Sequence, residues 1–191
     1  MPHIHTKPNQ HDMTVSAYIV LVEDGSTKCL VHFHKKIQKL MQIGGHIELD
    51  ETPWQSVQHE VLEESGYELE ELEVLQPSKA VVKTSHNVAH PVPMLMNTHY
   101  VGDAHYHSDL CYAFVATARP KGQPSEGEST DLRWLTFAEL QHASSSGEAL
   151  EDVVLIYEYI LEQLNVYEQI PGTNYSLAKP GDVGVRYKSI A

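Results

Sequence analysis

Glu60, Glu63 and Glu64 crowd into five consecutive positions of the chain. Residues three and four apart on a helix share a face, so a helix here would set Glu60 beside both of the other carboxylates. Like charges so arranged weaken an isolated helix. A hard divalent cation removes that repulsion and takes oxygen ligands of this kind, which makes Mg²⁺ or Mn²⁺ the natural partner. Such an ion neutralises phosphate oxygens and activates a water for attack. A solvated acidic helix face would show the same spacing. What favours the metal reading is the Gly44–Gly45 pair, placed fifteen residues before the cluster as counted from Gly45 to Glu60.

The elements that must position these carboxylates can be read outward from the cluster. Thr52 suits a helix N-cap, Pro53 its first turn, and Gln55 the partner position of a capping box. Gly66 suits a left-handed exit. The implied helix is Pro53–Ser65, with Trp54, Val57, Val61 and Leu62 as a ragged apolar side. Upstream, Thr14–Val22 is rich in β-branched and aromatic residues and reads as a strand. The segment "EDGST" supplies a turn, and Lys28–His34 the hairpin partner. "KLMQIGGHIE" reads as a further short strand broken at Gly44 and Gly45. Downstream, "ELEELEVLQP", "VPMLMNTHYV" and Ser108–Ala118 read as strands, with a histidine-bearing loop over Ser85–His90. A polar loop, "RPKGQPSEGEST", precedes "DLRWLTFAEL", a short strand and the start of a helix. A last helix is expected from Gly147 to Leu164, where Ala149, Val153, Ile156, Tyr157 and Ile160 recur at helical spacing. Strands on both sides of a central helix imply an α/β domain whose mixed sheet is covered by helices.

Composition narrows the function classes. The chain has 191 residues, 41% hydrophobic and 20% charged, room for one well-packed domain plus extensions. Its net charge of −13 argues against nonspecific nucleic-acid binding but not against a small phosphorylated substrate. No apolar run approaches a membrane span, and the polar start lacks the apolar core of a signal peptide, so a cytoplasmic location is expected. Two cysteines, Cys29 and Cys111, sit in apolar segments and read as buried free thiols. Thirteen histidines are scattered, but none of their strings has zinc-finger spacing with cysteines, so no dedicated zinc site is read from them. His86, His90, His105 and His107 are either substrate-side residues or ordinary loop and surface positions. Tyr18, Phe33, Tyr112, Phe114 and Trp134 could stack on a base, although the core is the more frequent destination of aromatics.

The segment from Gly45 to Tyr67 resembles the signature of the Nudix hydrolase family. That signature is a glycine, five residues, a glutamate, seven residues, then Arg-Glu-apolar-any-Glu-Glu-any-Gly-apolar. Gly45, Glu51, Glu60, Val61, Glu63, Glu64, Gly66 and Tyr67 match, and His59 stands where the family has arginine. The resemblance implies a Nudix-like α/β/α sandwich with a loop–helix–loop signature. It covers residues 13–165, leaving 1–12 as a flexible N-terminal arm and 166–191 as a C-terminal extension. It implies a pyrophosphohydrolase using Mg²⁺ or Mn²⁺ to cleave a nucleoside diphosphate linked to another moiety, or a related diphosphate. Glu60, Glu63 and Glu64 would be the metal ligands, together with the Gly45 carbonyl. Glu51 would orient the signature. The general base would be a signature glutamate or a glutamate on a later loop, Glu128 ahead of Glu126. His59 would take the orienting place of the arginine, with two ring nitrogens in place of a guanidinium fork. Homodimers are common in the family, though no interface is legible here. The same departure motivates an alternative, a noncatalytic Nudix domain for ligand sensing or protein interaction. Isomerisation of an isoprenoid diphosphate would need further acid–base residues outside the signature, to which no residue of the sequence is assigned. Companion residues diagnostic of ADP-ribose or coenzyme A hydrolysis are not evident.

Overall fold

β1 (His11–Glu23) is the strand around which the sheet assembles. Its alternation sends Val15, Ala17, Ile19 and Leu21 to one face and Tyr18 and Val20 to the other, and both sets are buried. Such two-sided burial is the pattern of a strand covered by helices above and below. In the computed structural model, which describes residues 7, 9–79, 87–102 and 105–179, β1 runs parallel to β7 (His105–Ala116), from His11 opposite Tyr106 to Leu21 opposite Ala116. β2 (Ser26–His34) returns antiparallel to β1 through a turn in which Asp24 (φ 49°) and Gly25 (φ 74°) are left-handed. An Asp-Gly pair adopts that geometry readily, and its twist matches the flanking strands.

The segment expected to be one short strand is two: β3 (Lys39–Met41) pairs with β2, and β4 (Ile43–His46) pairs with β1. The chain changes partner between them. α1 (Pro53–Ser65) then packs Trp54, Val57 and Val61 onto the Val15–Leu21 face. Its capping box is complete, with the Thr52 side chain accepting from the Gln55 amide and the Gln55 side chain from the Thr52 amide. The segment Glu68–Pro77, expected to be extended throughout, starts with a 3₁₀ turn (Leu69–Glu71); β5 (Glu73–Gln76) follows. Leu69 and Leu72 are both buried, and a spacing of three suits that turn where strand alternation would expose one of them.

β6 (Leu95–Val101) pairs antiparallel with β7, and β8 (Leu132–Leu135) with β2. α2 (Phe137–Ser145) and α3 (Glu151–Gln163) cover the opposite face, where Leu140, Val153, Tyr157 and Ile160 meet Tyr18, Val20, Cys29 and Val31. Two apolar layers therefore sandwich one mixed sheet of order β3-β2-β1-β7-β5-β9, the last strand being β9 (Glu168–Pro171). The fold is the α/β/α sandwich expected. β9 (Glu168–Pro171) was not legible as a strand; it pairs with β5, and Tyr175 beyond it lies edge-on to Trp54 at 5.9 Å. Cys29 and Cys111 are buried free thiols, as expected. Among the described residues no helix is long and apolar enough to cross a membrane.

Gly66 ends α1 with φ 77°, its amide donating to the Leu62 carbonyl. A Cβ there would lie 2.6 Å from the Gln123 amide nitrogen and from the Gly122 carbonyl carbon. The polar loop that follows β7 thus rests directly on the helix exit, and the Ser125 amide donates to the Glu63 carbonyl at 2.7 Å. Gly66→Ala adds a left-handed strain of about 1 kcal/mol or more to a backbone collision. We expect a thermal midpoint several degrees lower, measured by circular dichroism, with loosened protection of residues 122–128 in hydrogen exchange.

Candidate functional site

Trp54, Val57 and Val61 form the buried stripe of α1, and Glu64 is its next member at the same spacing. The stripe that anchors the helix therefore drives a carboxylate into the protein. Glu64 is 7% exposed, and its Oε2 accepts from the Gly44 amide at 2.9 Å. Burial raises its pKa to about 9, against the opposing pull of the Gly44 hydrogen bond, with the charges of Glu60, Glu128 and Glu63 adding to the rise. Glu60 lies one turn earlier. Burial raises it to about 7, His59 opposes, and Glu63, Glu128 and Glu51 reinforce. A Cβ at Gly45 would fall where the Glu60 carboxylate now lies, so a side chain there would push that carboxylate from its place. The two carboxylates thus close on the backbone of β4.

These observations test whether a hard cation suits the residues present. The donors around Gly44 and Gly45 are oxygens, two carboxylates share a site that disfavours their charge, and the backbone approaches with no side chain intervening. Each feature fits Mg²⁺ or Mn²⁺.

His59 joins two further acids. Its Nδ1 lies 3.2 Å from Glu51 Oε1 and its Nε2 3.1 Å from Glu63 Oε1. A ring that donates from both nitrogens is an imidazolium. Partial burial disfavours that charge, but the hydrogen bond and charge of Glu63, with the charges of Glu51 and Glu60, outweigh it and raise the pKa above the ordinary value. Glu51 is fixed from its other oxygen by Ser56 Oγ at 2.7 Å. His59 thereby spans two carboxylates, and Glu63 is turned toward it on the more exposed side of the helix.

Two residues enter from other elements. Glu128 sits in the loop after β7, half-buried, and its charge acts on both Glu60 and Glu64. Lys35 holds the loop by donating to the Gly127 and Glu128 carbonyls at 2.8 Å each. Glu126 is exposed. His32, which the sequence did not single out, is buried on β2 with Nε2 3.8 Å from Glu64 Oε2. Burial, and the charge of His34, hold its pKa near 4, so at neutral pH the contact is between a neutral imidazole and a carboxyl group, not an ion pair. A cleft of about 860 Å³ opens beside Glu51, lined by Asp12, Met13, Ile47, Leu49 and Tyr106 among others. It borders the signature through Glu51 and does not include Glu60 or Glu64 in its walls.

A second constellation was invisible in the sequence. His46, His105 and His107 bring ligand atoms within 4.8 Å of one another, a group capable of holding a metal ion. Among the described residues, Glu60, Glu63 and Glu64 do not close to that degree. Burial holds His107 near pKa 4, helped by His46, His99 and His105. His90 is half-buried and its pKa is lowered by burial, while His86 lies outside the described residues.

The family model described as "NUDIX domain" matches residues 12–153. No curated protein matches the sequence significantly. Among solved structures, a NUDIX-family hydrolase from Clostridium perfringens is 28% identical, with a TM-score of 0.66, over 80% of this chain and 97% of that one. The NUDIX domain of Shewanella oneidensis NrtR, complexed with ADP ribose, is 17% identical with a TM-score of 0.58, over 81% and 88%. A Caenorhabditis elegans Ap4A hydrolase is 14% identical with a TM-score of 0.59, over 80% and 99%. The latter two support the fold alone.

The raised carboxylates make stability depend on pH. A folded-state pKa of about 9 for Glu64 and about 7 for Glu60, against an ordinary 4.5, means that the folded chain binds more protons than the unfolded chain between those limits. Their protonation stabilises the fold fully below about pH 4.5, and that contribution is lost as pH rises toward 9. In chelator, Glu64→Gln should therefore match wild type near pH 5 and exceed it by at least about 1 kcal/mol near pH 9, read from urea unfolding.

Proposed function

The chain belongs to the Nudix family, and from that premise we propose that it is a metal-dependent pyrophosphohydrolase acting on a nucleoside diphosphate linked to another moiety or on a related diphosphate. The observation that carries this reading is the pair of buried Glu64 and half-buried Glu60 held against the Gly44–Gly45 backbone. Isolated buried carboxylates of this kind are costly unless a ligand compensates them.

Glu60, Glu64 and the Gly45 carbonyl would hold Mg²⁺ or Mn²⁺, with Glu63 available to a second ion or to a positioned water. When bound, such an ion neutralises phosphate oxygens and lowers the pKa of a coordinated water. The chain's own residues supply the rest. His59 and Ser56 hold Glu51, so that the signature's loop and helix keep one geometry at the mouth of the cleft. The cleft, of about 860 Å³, is of a size that takes a nucleotide. Glu128 is the proposed general base: its carboxylate accepts a proton from the water that attacks phosphorus, the phosphorus–oxygen anhydride bond breaks, and the displaced phosphate leaves with the bond's electrons. Lys35 holds the Glu128 backbone, which limits how far the carboxylate can wander. The His59 imidazolium stands in for a guanidinium by bridging the same helix to the preceding loop, at the cost of a charge that titrates.

A product-mass screen over nucleoside triphosphates, nucleotide sugars, dinucleoside polyphosphates and dinucleotide cofactors, with Mg²⁺ or Mn²⁺, tests the reading. At least one substrate should turn over, and Glu64→Gln should lower its rate more than about 100-fold. A wild-type rate in that variant would overturn the metal role. No turnover by folded protein across the panel would favour the ligand-sensing alternative.

His59→Arg should preserve or raise activity and extend it to higher pH, because guanidinium stays charged where imidazolium does not. A marked loss measured in a pH–rate profile would give His59 another task.

A further inference from the structure

Three strands that meet at one end of the sheet gather the histidines. His46 on β4 is paired with Thr14 of β1, and His107 on β7 with Asp12 of β1. Cross-strand partners share a face, as do residues two apart on one strand, so Asp12, Thr14, His46, His105 and His107 all project to the same side. That side is the one on which Tyr18 and Val20 meet α3, opposite to α1. The glutamates of α1 are therefore on the other side of the sheet. Carboxylates predominate there, with single imidazoles of His32 near Glu64 and His59 against Glu63, while here three imidazoles converge.

We propose that His46, His105 and His107, with Asp12, form a second metal site, selective for a borderline transition-metal ion of the Zn²⁺ class, and that this site is structural. The proposal does not rest on the hydrolase reading, since it uses none of the signature glutamates.

The geometry needs little adjustment. Around a tetrahedral ion with bonds of about 2.0–2.1 Å, ligand atoms stand about 3.3–3.4 Å apart. The three histidine ligand atoms already lie within 4.8 Å of one another, and Asp12 Oδ2 lies 3.8 Å from His46 Nε2. Ring rotations, with a swing of the Asp12 carboxylate, which stands outside the group of three histidines, would close the difference. His105 supplies a second and independent indication. It is 6% exposed, and its Nε2 is buried with no hydrogen-bond partner. A buried imidazole nitrogen left without a partner costs stability, and coordination by a neutral ring satisfies it.

Donor chemistry selects the ion. Mg²⁺ and Ca²⁺ take oxygen ligands, whereas imidazole suits Zn²⁺, Co²⁺, Ni²⁺ and Cu²⁺. Three imidazoles and a buried carboxylate make a closed set of four, the pattern of a site that holds a fold together and keeps no position open for substrate. What it would hold is β4 against β1 and β7. β4 carries Gly44 and Gly45, whose backbone meets Glu64 and Glu60 from the opposite face.

Cobalt reports on such a site because tetrahedral Co²⁺ absorbs visibly and strongly, while Co²⁺ among oxygens and water absorbs weakly. The untagged full chain, stripped with chelator and titrated with CoCl₂, should take up one tightly held equivalent with the tetrahedral band, and ZnCl₂ should displace it. The double variant Glu60→Gln/Glu64→Gln should keep that band. His107→Gln and His46→Gln should each lose it while remaining folded by circular dichroism. A folded wild type with no band, a band that survives both histidine variants, or a band lost in the glutamate variant would overturn the assignment. Zinc K-edge absorption on the wild-type chain decides the matter should the variants not fold. Imidazole scattering in the first shells supports the site, and a shell of oxygens alone overturns it.

Discussion

The seating of buried Glu64 and half-buried Glu60 against the backbone of β4 is the constraint to which the surrounding structure answers. A helix can hold a carboxylate inside a protein only if the rest of its face is fixed firmly enough to keep it there. Trp54 meets Tyr112, Phe114 and Tyr175, and Val57 and Val61 continue the stripe. Their packing fixes the rotation of α1 about its axis. Once that rotation is set, the 3.6-residue period leaves Glu64 no route to solvent, and Glu60 is carried alongside it. The sheet contributes the complementary half, a stretch of β4 bare enough of side chains for carboxylate oxygens to reach it. Folding supplies the energy that holds two reluctant charges, and their raised pKa values express the cost.

Electrostatics around α1 then divides the glutamates into two groups. Glu60 and Glu64 face inward, where low dielectric favours the proton or a cation. Glu51 and Glu63 are the two that His59 bridges. Imidazolium has only two donors, and both are used, one on the loop before the helix and one on the helix itself. The bridge is therefore geometrically sound but conditional on protonation, which an arginine fork would not be. The loop bearing Glu128 is bound into the same region from the far end of the helix, through Gly66 and the Ser125–Glu63 backbone hydrogen bond.

The sheet separates two kinds of donor. On the α1 side, oxygens gather. On the other side, near the start of β1, imidazoles do, and the polar ladder continues inward through Asp109. That buried carboxylate accepts from Thr14 and Ser16 at 2.9 and 2.7 Å and from the Cys111 thiol at 3.1 Å. A buried carboxyl group with three donors has its hydrogen-bonding capacity met in the interior. It also gives the polar end of this face a rigid floor before the apolar packing of Tyr18 and Val20 begins.

The helix that carries the acids was legible because its determinants are local. Thr52, Pro53, Gln55 and Gly66 specify its ends within one short stretch, and the Asp24–Gly25 turn specifies the first hairpin in the same way. The spacing of Gly45, Glu51, Glu60, Glu63 and Glu64 marks the family by residue types alone. Elements defined by their partners were not legible. β9 has no alternation of its own and becomes a strand because β5 offers an edge, and β4 separates from β3 because β1 and β2 claim different residues. His32 and the His46, His105 and His107 group depend on cross-strand register, which sets which side chains share a face. By itself, then, the sequence determined the oxygen-rich signature and the helix that presents it, since both lie within one local stretch of chain. Only the tertiary structure decided which carboxylates are buried, what His59 bridges and which distant histidines meet, because burial and register are properties of strands and helices brought together from far apart in the chain.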